Sequence, residues 1–298
     1  MKMLKNYAVI FLVIILFIIP LPVFADAGPK PSVVISFSGL EGEKYYVTLL
    51  SEKDSTGPHS VPGKYPNNQR YFEGDEDYGI WLKFLSCEDE DGFYFLQYFQ
   101  NCSETHRFEW TYYPPVRFKI LLYFPEYDCF VVSDEIYESY AFDSYFRVDA
   151  GNLEIKQGAK VKGIKAEKSY DYTWELVSLF ARTVITIAAE LLIALLFGYR
   201  SRKQIYFIAG INIITQLVLN ILLNVINYRY GSLSFAVSYV PFELIVFVIE
   251  AIAFSILLNK YADSGKTRPW IAPLYAFVAN AVSFVLGFLV AYLVPGIF

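Results

Sequence analysis

From residue 171 onward the sequence carries four apolar runs, near 174–198, 205–227, 240–259 and 270–294. Each has about the twenty residues that a helix needs to cross a bilayer. A lipid-facing backbone must satisfy its own hydrogen bonds, so this half of the chain is expected to form a four-helix transmembrane domain, residues 171–298. The composition agrees: 55% of the 298 residues are hydrophobic and the mean hydropathy is +0.35.

The loops between the runs set an orientation. "YRSRKQ" carries Arg200, Arg202 and Lys203, and "NKYADSGKTRPW" carries Lys260, Lys266 and Arg268. "YRYGSLSFAVS", between the second and third runs, has only Arg229. Basic loops stay in the cytoplasm, so the C-terminus and the segment before the first run are expected outside. The N-terminus agrees. Lys2 and Lys5 precede an apolar stretch from Tyr7 to Ile19, followed by Pro20, Pro22 and small residues near Ala25 and Ala27. This pattern reads as a signal peptide over residues 1–27, with an uncleaved first membrane anchor as the alternative. The localisation expected is the cell membrane, multi-pass, with residues 28–170 extracytoplasmic.

That middle segment has a different texture. "PSVVISFSGL", "KYYVTLL", "IWLKFL", "GFYFLQYF", "FKILLYF", "CFVVS" and "SYFRVDA" are β-branched and aromatic runs between turn residues. Seven or so short strands predict an antiparallel β-sandwich-like domain, its first two strands joined as a hairpin across "EGE" and residues 52–77 forming a long loop. The fold class is therefore mixed: an exported β-sandwich followed by four membrane helices.

Several motifs, "ADAGPKPS", "DGFYFLQYF", "WTYYPP", "FKILLYFPE" and "YAFDSYF", resemble those of a group of bacterial exported membrane proteins. The group has no established activity, so the resemblance implies this architecture and no chemistry.

Cys87 and Cys102 flank "GFYFLQYF" and form a possible disulfide, with free thiols as the alternative; Cys129 is left over. The acidic stretches "GDEDYG" and "CEDEDG" lack the ligand spacing of a calcium loop and read as solvated turns. Trp81, Trp110, Tyr112 and Tyr113 suit either a stacking surface for glycans or peptides or, more simply, a core. The two histidines, His59 and His106, are isolated and read as surface residues. No catalytic motif is present, and no metal or cofactor is implied. The net charge of −5, without a basic tract, argues against nucleic acid.

The exceptional residues are polar ones inside the apolar runs. Taking about 1.5 Å of rise per residue, Arg182 and Glu243 share an outward depth and are expected to pair. Glu190, Glu250, Asn212 and Asn280 lie near the middle of the bilayer. Asn212, Gln216, Asn220 and Asn224 recur every four residues and make a polar stripe. Ionisable groups at this depth are costly and mark functional sites or interhelical glue. Three carboxylates against one arginine leave Glu190 and Glu250 without a basic partner, a pair suited to sharing a proton or holding a cation.

Two functions fit. The first is an extracytoplasmic binding or sensing module anchored by four helices, which needs a membrane partner protein or a second copy because the cytoplasmic loops are short. The alternative is ion, proton or small-solute transport through the intramembrane polar site. In both, the lipid bilayer is the surrounding partner.

Overall fold

The computed structural model describes residues 28–65, 68–261 and 270–293. The expected signal peptide, 1–27, and most of the second basic loop, 262–269, lie outside the described residues. The chain divides into two compact units, Lys30–Asp171 and one that includes Tyr172–Phe298.

The first unit is β-rich. Its strands begin with β1 (Ser32–Ser38), β2 (Tyr46–Ser51), β3 (Ser55–Thr56) and β4 (His59–Ser60). After helix α1 (Tyr78–Ser86) come β5 (Tyr94–Phe95), β6 (Gln100–Asn101) and β7 (Arg107–Trp110). The long strand β8 (Arg117–Phe124) precedes β9 (Cys129–Ser133), β10 (Tyr137–Glu138) and β11 (Asp143–Asp149). Last are β12 (Lys160–Ile164) and β13 (Ala166–Lys168).

A four-stranded sheet has the order β13-β11-β1-β7, and a larger sheet the order β12-β9-β8-β2-β5. Between them lies one core, in which Val33, Ile35, Phe108, Trp110 and Phe146 meet Val47, Leu49, Ile120, Leu122 and Val131. The far face of the larger sheet is covered by α1, whose Trp81 and Phe84 pack on Leu50, Leu121, Tyr123 and Val132. Because both faces are covered, β8 is a nearly continuous apolar run rather than an alternating one.

The strand layout of this unit departs from expectation in four ways. "IWLKFL" forms the helix α1, because Tyr78, Trp81 and Phe84 share a face at helical spacing. β1 and β2 are not a hairpin: they enter different sheets. Gly39, after β1, has φ +80°, and a Cβ there would lie 2.5 Å from the Gly151 nitrogen, so the chain turns where only glycine fits. Nor are the sheets purely antiparallel, since β1 pairs parallel with β11 and β12 parallel with β9. Parallel neighbours require crossover connections, and these strands adjoin only because the chain leaves for the other sheet and returns. The long loop contains the short β3–β4 hairpin.

The cysteines are free. Cys102 is buried in the core between the sheets, while Cys87 packs with the cluster under α1 on the other face, so the larger sheet separates them. Burial pushes the Cys102 thiol up to about 12.

His59 is buried rather than on the surface. Its ring stands edge-on to Trp110 at 4.8 Å and to Tyr98 at 5.3 Å. Burial, reinforced by the Arg70 charge, pushes its imidazole down to about 4. The unfolded chain binds a proton near pH 6.5 that the fold does not. The contribution of neutral His59 is therefore present above about 6.5 and lost as the pH falls toward 4. Unfolding followed by tryptophan fluorescence should show about 2 kcal/mol less stability at pH 4 than at pH 7 from this group. His59→Phe should flatten that dependence; an unchanged profile would place the acid sensitivity elsewhere.

The second unit is helical: α2 (Thr173–Leu196), α3 (Arg202–Leu257) and α4 (Ile271–Leu293). Two helices are long and apolar enough to cross a membrane, by length and composition: Glu175–Leu196 and Arg202–Leu257. α3 was expected as two runs with a loop over 228–238. It stays helical except at Gly231, whose φ of 82° and ψ of 174° break it into two limbs. The limbs fold back antiparallel, as the bonds from Gln204 Nε2 to the Leu258 carbonyl at 3.2 Å and from Thr215 to Glu250 show.

Candidate functional site

A stripe of four residues explains how the polar site is built. Ser178, Arg182, Thr186 and Glu190 recur every four positions on α2, and all are buried. Residues four apart stack on one helix face, so α2 turns a polar face inward. Asn212, Gln216 and Asn220 do the same on the first limb of α3, and Glu243 and Glu250 on the second. α4 adds Asn280 and Ser283. Every residue expected in the intramembrane site is thus buried within this unit; Asn224, at the end of its stripe, is only half-buried.

The outer faces are the opposite. Leu176, Phe180, Val184, Leu192 and Leu196 on α2 are exposed, as are Ile214, Val218, Ile245 and Ile249 on α3. Only 33% and 22% of the two apolar windows is buried. A water-soluble protein would bury these residues and expose the amides and acids.

The site has two parts. In the first, Arg182 meets aromatic faces: its guanidinium lies 5.4 Å from the Tyr239 ring and 5.6 Å from that of Phe235. Tyr239 interacts with both Arg182 and Glu243. The direct Arg182–Glu243 pair expected from depth is thus replaced by a tyrosine-bridged one, in which the aromatic faces help to hold the cation. Gly287 makes room for this, because a Cβ there would come within 2.7 Å of the Tyr239 hydroxyl.

The second part is the carboxylate pair. Glu250 is fully buried and well provided for: Thr215 Oγ1 donates to its Oε1 at 2.6 Å and Asn280 Nδ2 to its Oε2 at 2.7 Å. Glu190 is also fully buried, and neither of its carboxyl oxygens has a hydrogen-bond partner among the described residues. It lies close enough to Glu250 and Ser283 to interact with both. The Tyr275 hydroxyl donates instead to the Glu190 backbone carbonyl, at 3.3 Å. Among the described residues, neither amide atom of Asn212, which interacts with Tyr275, has a partner within hydrogen-bond geometry, and Asn280 Oδ1 and Gln216 Nε2 are likewise unpartnered.

The acids and amides singled out in the sequence are buried in this unit together with Ser178, Thr186, Thr215, Tyr239 and Ser283, which were not singled out. Their signal was available, since the first two continue a four-residue spacing with Arg182 and Glu190, the same rule that exposed the α3 stripe. Thr215 and Ser283 hide because hydroxyls in apolar helices usually bond their own backbone, as Thr186 does to the Arg182 carbonyl at 2.9 Å.

In the β-rich unit, the acidic stretch expected as a solvated turn is partly buried. Lys119, on β8, is 1% exposed and is bound by both oxygens of Asp89 at 3.0 Å and by Asp91. Its ammonium also lies over the Phe93 ring at 5.4 Å. Trp81 and Trp110 are core residues, leaving Tyr112 and Tyr113 as the exposed aromatics of that set.

No known protein family, curated protein or solved structure matches this chain.

Proposed function

We propose that the chain is a multi-pass protein of the bacterial cell membrane. In this reading four membrane segments, α2, the two limbs of α3 and α4, surround a polar core that takes up a small cation, a proton or a metal ion. The β-rich unit is a sandwich-like domain outside the cytoplasm. One observation carries the function: Glu190 is fully buried, both its carboxyl oxygens lack a hydrogen-bond partner among the described residues, and a second buried acid interacts with it. Interhelical glue accounts for Glu250, whose donors are Thr215 and Asn280, but leaves Glu190 unexplained. A buried carboxylate pair lacking a basic partner is matched by a proton or a cation.

The test is uptake into proteoliposomes. The parent should take up protons or a labelled monovalent cation, and Glu190→Gln should reduce that at least tenfold while keeping its helical circular dichroism. A parent that moves or binds none of these ions would overturn the reading. Topology is checked separately: a cysteine placed at Ser201, in the first basic loop, should resist an impermeant thiol reagent in intact cells, and its labelling would reverse the orientation.

A second reading has its own support. An open polar cleft of about 610 Å³ in the β-rich unit is lined by Glu43, Lys44, Asn101, Ser103, Glu104 and Thr105. It suits capture of a polar ligand by a binding or sensing module, which would work through a partner protein or a second copy.

A further inference from the structure

We propose that the Glu190 site takes an alkali-metal cation, in exchange with a proton on the Glu190 carboxyl. The inference rests on the cation-site reading above and names the occupant.

The unmet groups around Glu190 have one chemical character. Glu190 Oε1 and Oε2, Asn212 Oδ1 and Asn280 Oδ1 are buried oxygens without a hydrogen-bond partner among the described residues. The donors that might have served them are committed elsewhere. Asn280 Nδ2 goes to Glu250 and to the Ala276 carbonyl, Thr215 to Glu250 and Tyr275 to a backbone carbonyl, while Ser283 donates to the Asn280 carbonyl at 3.2 Å and is the one hydroxyl within reach of Glu190 as well. Among the described residues, Asn212 Nδ2, Gln216 Nε2 and the hydroxyl of Tyr199, whose ring packs on Tyr275, are the donors here that lack a partner, fewer than the lone pairs they would have to fill. Oxygen lone pairs in excess of N–H and O–H groups are completed by a species that accepts electron pairs. Arg182 does not supply it, because its guanidinium is held over Tyr239 and Phe235.

The charge and ligand types select among cations. Glu250 has a hydrogen-bond donor on each oxygen, which leaves Glu190 as the acid without donors among the described residues, and exchange for the single proton of its carboxyl is electroneutral only with a monovalent ion. One carboxylate with neutral amide and hydroxyl oxygens suits a monovalent ion. Calcium prefers several carboxylates among six to eight oxygens, and magnesium keeps much of its water. Softer metals want imidazole or thiolate, and both histidines and all three cysteines of the chain lie in the β-rich unit. When the metal leaves, a proton restores neutrality at Glu190 in surroundings that penalise a bare charge.

The test uses the full chain in detergent, with thermal unfolding followed in lithium, sodium, potassium or N-methylglucamine chloride at one ionic strength. At least one alkali ion should raise the midpoint by about 5 °C at a hundredfold excess over its Kd, relative to N-methylglucamine. The rise should be larger at mildly alkaline than at mildly acidic pH, because protons compete. Glu190→Gln should abolish it, and Asn212→Leu, which keeps the acid, should weaken the apparent affinity at least tenfold. Equal midpoints in all four chlorides, or a response that survives in Glu190→Gln, would overturn the proposal. If proton uptake depends on Glu190 while the midpoints do not respond, the alkali-metal assignment fails and the cation-site reading stands.

Discussion

Lys119→Met should destabilise the β-rich unit by about 3 kcal/mol, among the largest single losses expected anywhere in it. The substitution retains the side-chain volume within β8 but leaves Asp89, 2% exposed, as a buried carboxylate with no cation. Removing one partner of a buried pair costs more than the pair contributed, because the survivor keeps its desolvation penalty. Burial opposes the Lys119 charge, but hydrogen bonds to Asp91 and Asp89 outweigh it and hold the ammonium above the usual lysine range. The same bond holds the Asp91 carboxyl below its usual range. The signs follow directly. The lysine contribution is present below about pH 10.4 and lost as the pH rises through the raised value. That of Asp91 is present above about pH 3.9 and lost as the pH falls through the lowered one. Denaturant unfolding measures the loss, and Lys119→Met combined with Asp89→Leu should recover most of it, since an apolar replacement of both partners is nearly neutral. A single variant within about 0.5 kcal/mol of the parent would mean that water reaches this cluster.

The second large effect separates glue from site within the helical unit. Arg182→Gln should destabilise the protein in detergent by about 3 kcal/mol, because Glu243 loses its cation and Tyr239 and Phe235 lose the guanidinium between them. Glu190→Gln should leave stability unchanged or raise it, since it removes an acid whose carboxyl oxygens have no hydrogen-bond partner among the described residues. Residues that only hold helices together would all destabilise when replaced. Comparable losses from both substitutions would therefore favour an anchor with internal polar bonds.

Much of this arrangement was legible in the sequence because polar residues stand out in long apolar helices. In an apolar run of bilayer length every acid or amide stands out, so Arg182, Glu190, Asn212, Gln216, Asn220, Glu243, Glu250 and Asn280 are found by inspection, and all are buried. Hydroxyls do not stand out, which hid Thr215 and Ser283. Depth along a helix also says nothing of rotation or of what lies between, so Tyr239 between Arg182 and Glu243 was invisible. In the β-rich unit the apolar runs were visible but their partners were not. "IWLKFL" reads equally as strand or as one amphipathic helical turn and a half, and only the uncovered face of the larger sheet decides it. His59 and Lys119 were misjudged for one reason: burial of a polar residue depends on partners distant in sequence, Trp110 for one and Asp89 for the other.

The central claim is that Glu190 is an acid in apolar surroundings, with no basic partner, that accepts an external cation. Labelling with a lipid-soluble carbodiimide, read by intact mass and peptide mapping, tests this most directly, since the reagent adds to carboxyl groups within the membrane. The account predicts one adduct per chain, on Glu190, absent in Glu190→Gln and suppressed by the alkali ion that raises the unfolding midpoint. An unlabelled parent, or an adduct on Glu243 or Glu250 that persists in Glu190→Gln, would contradict it.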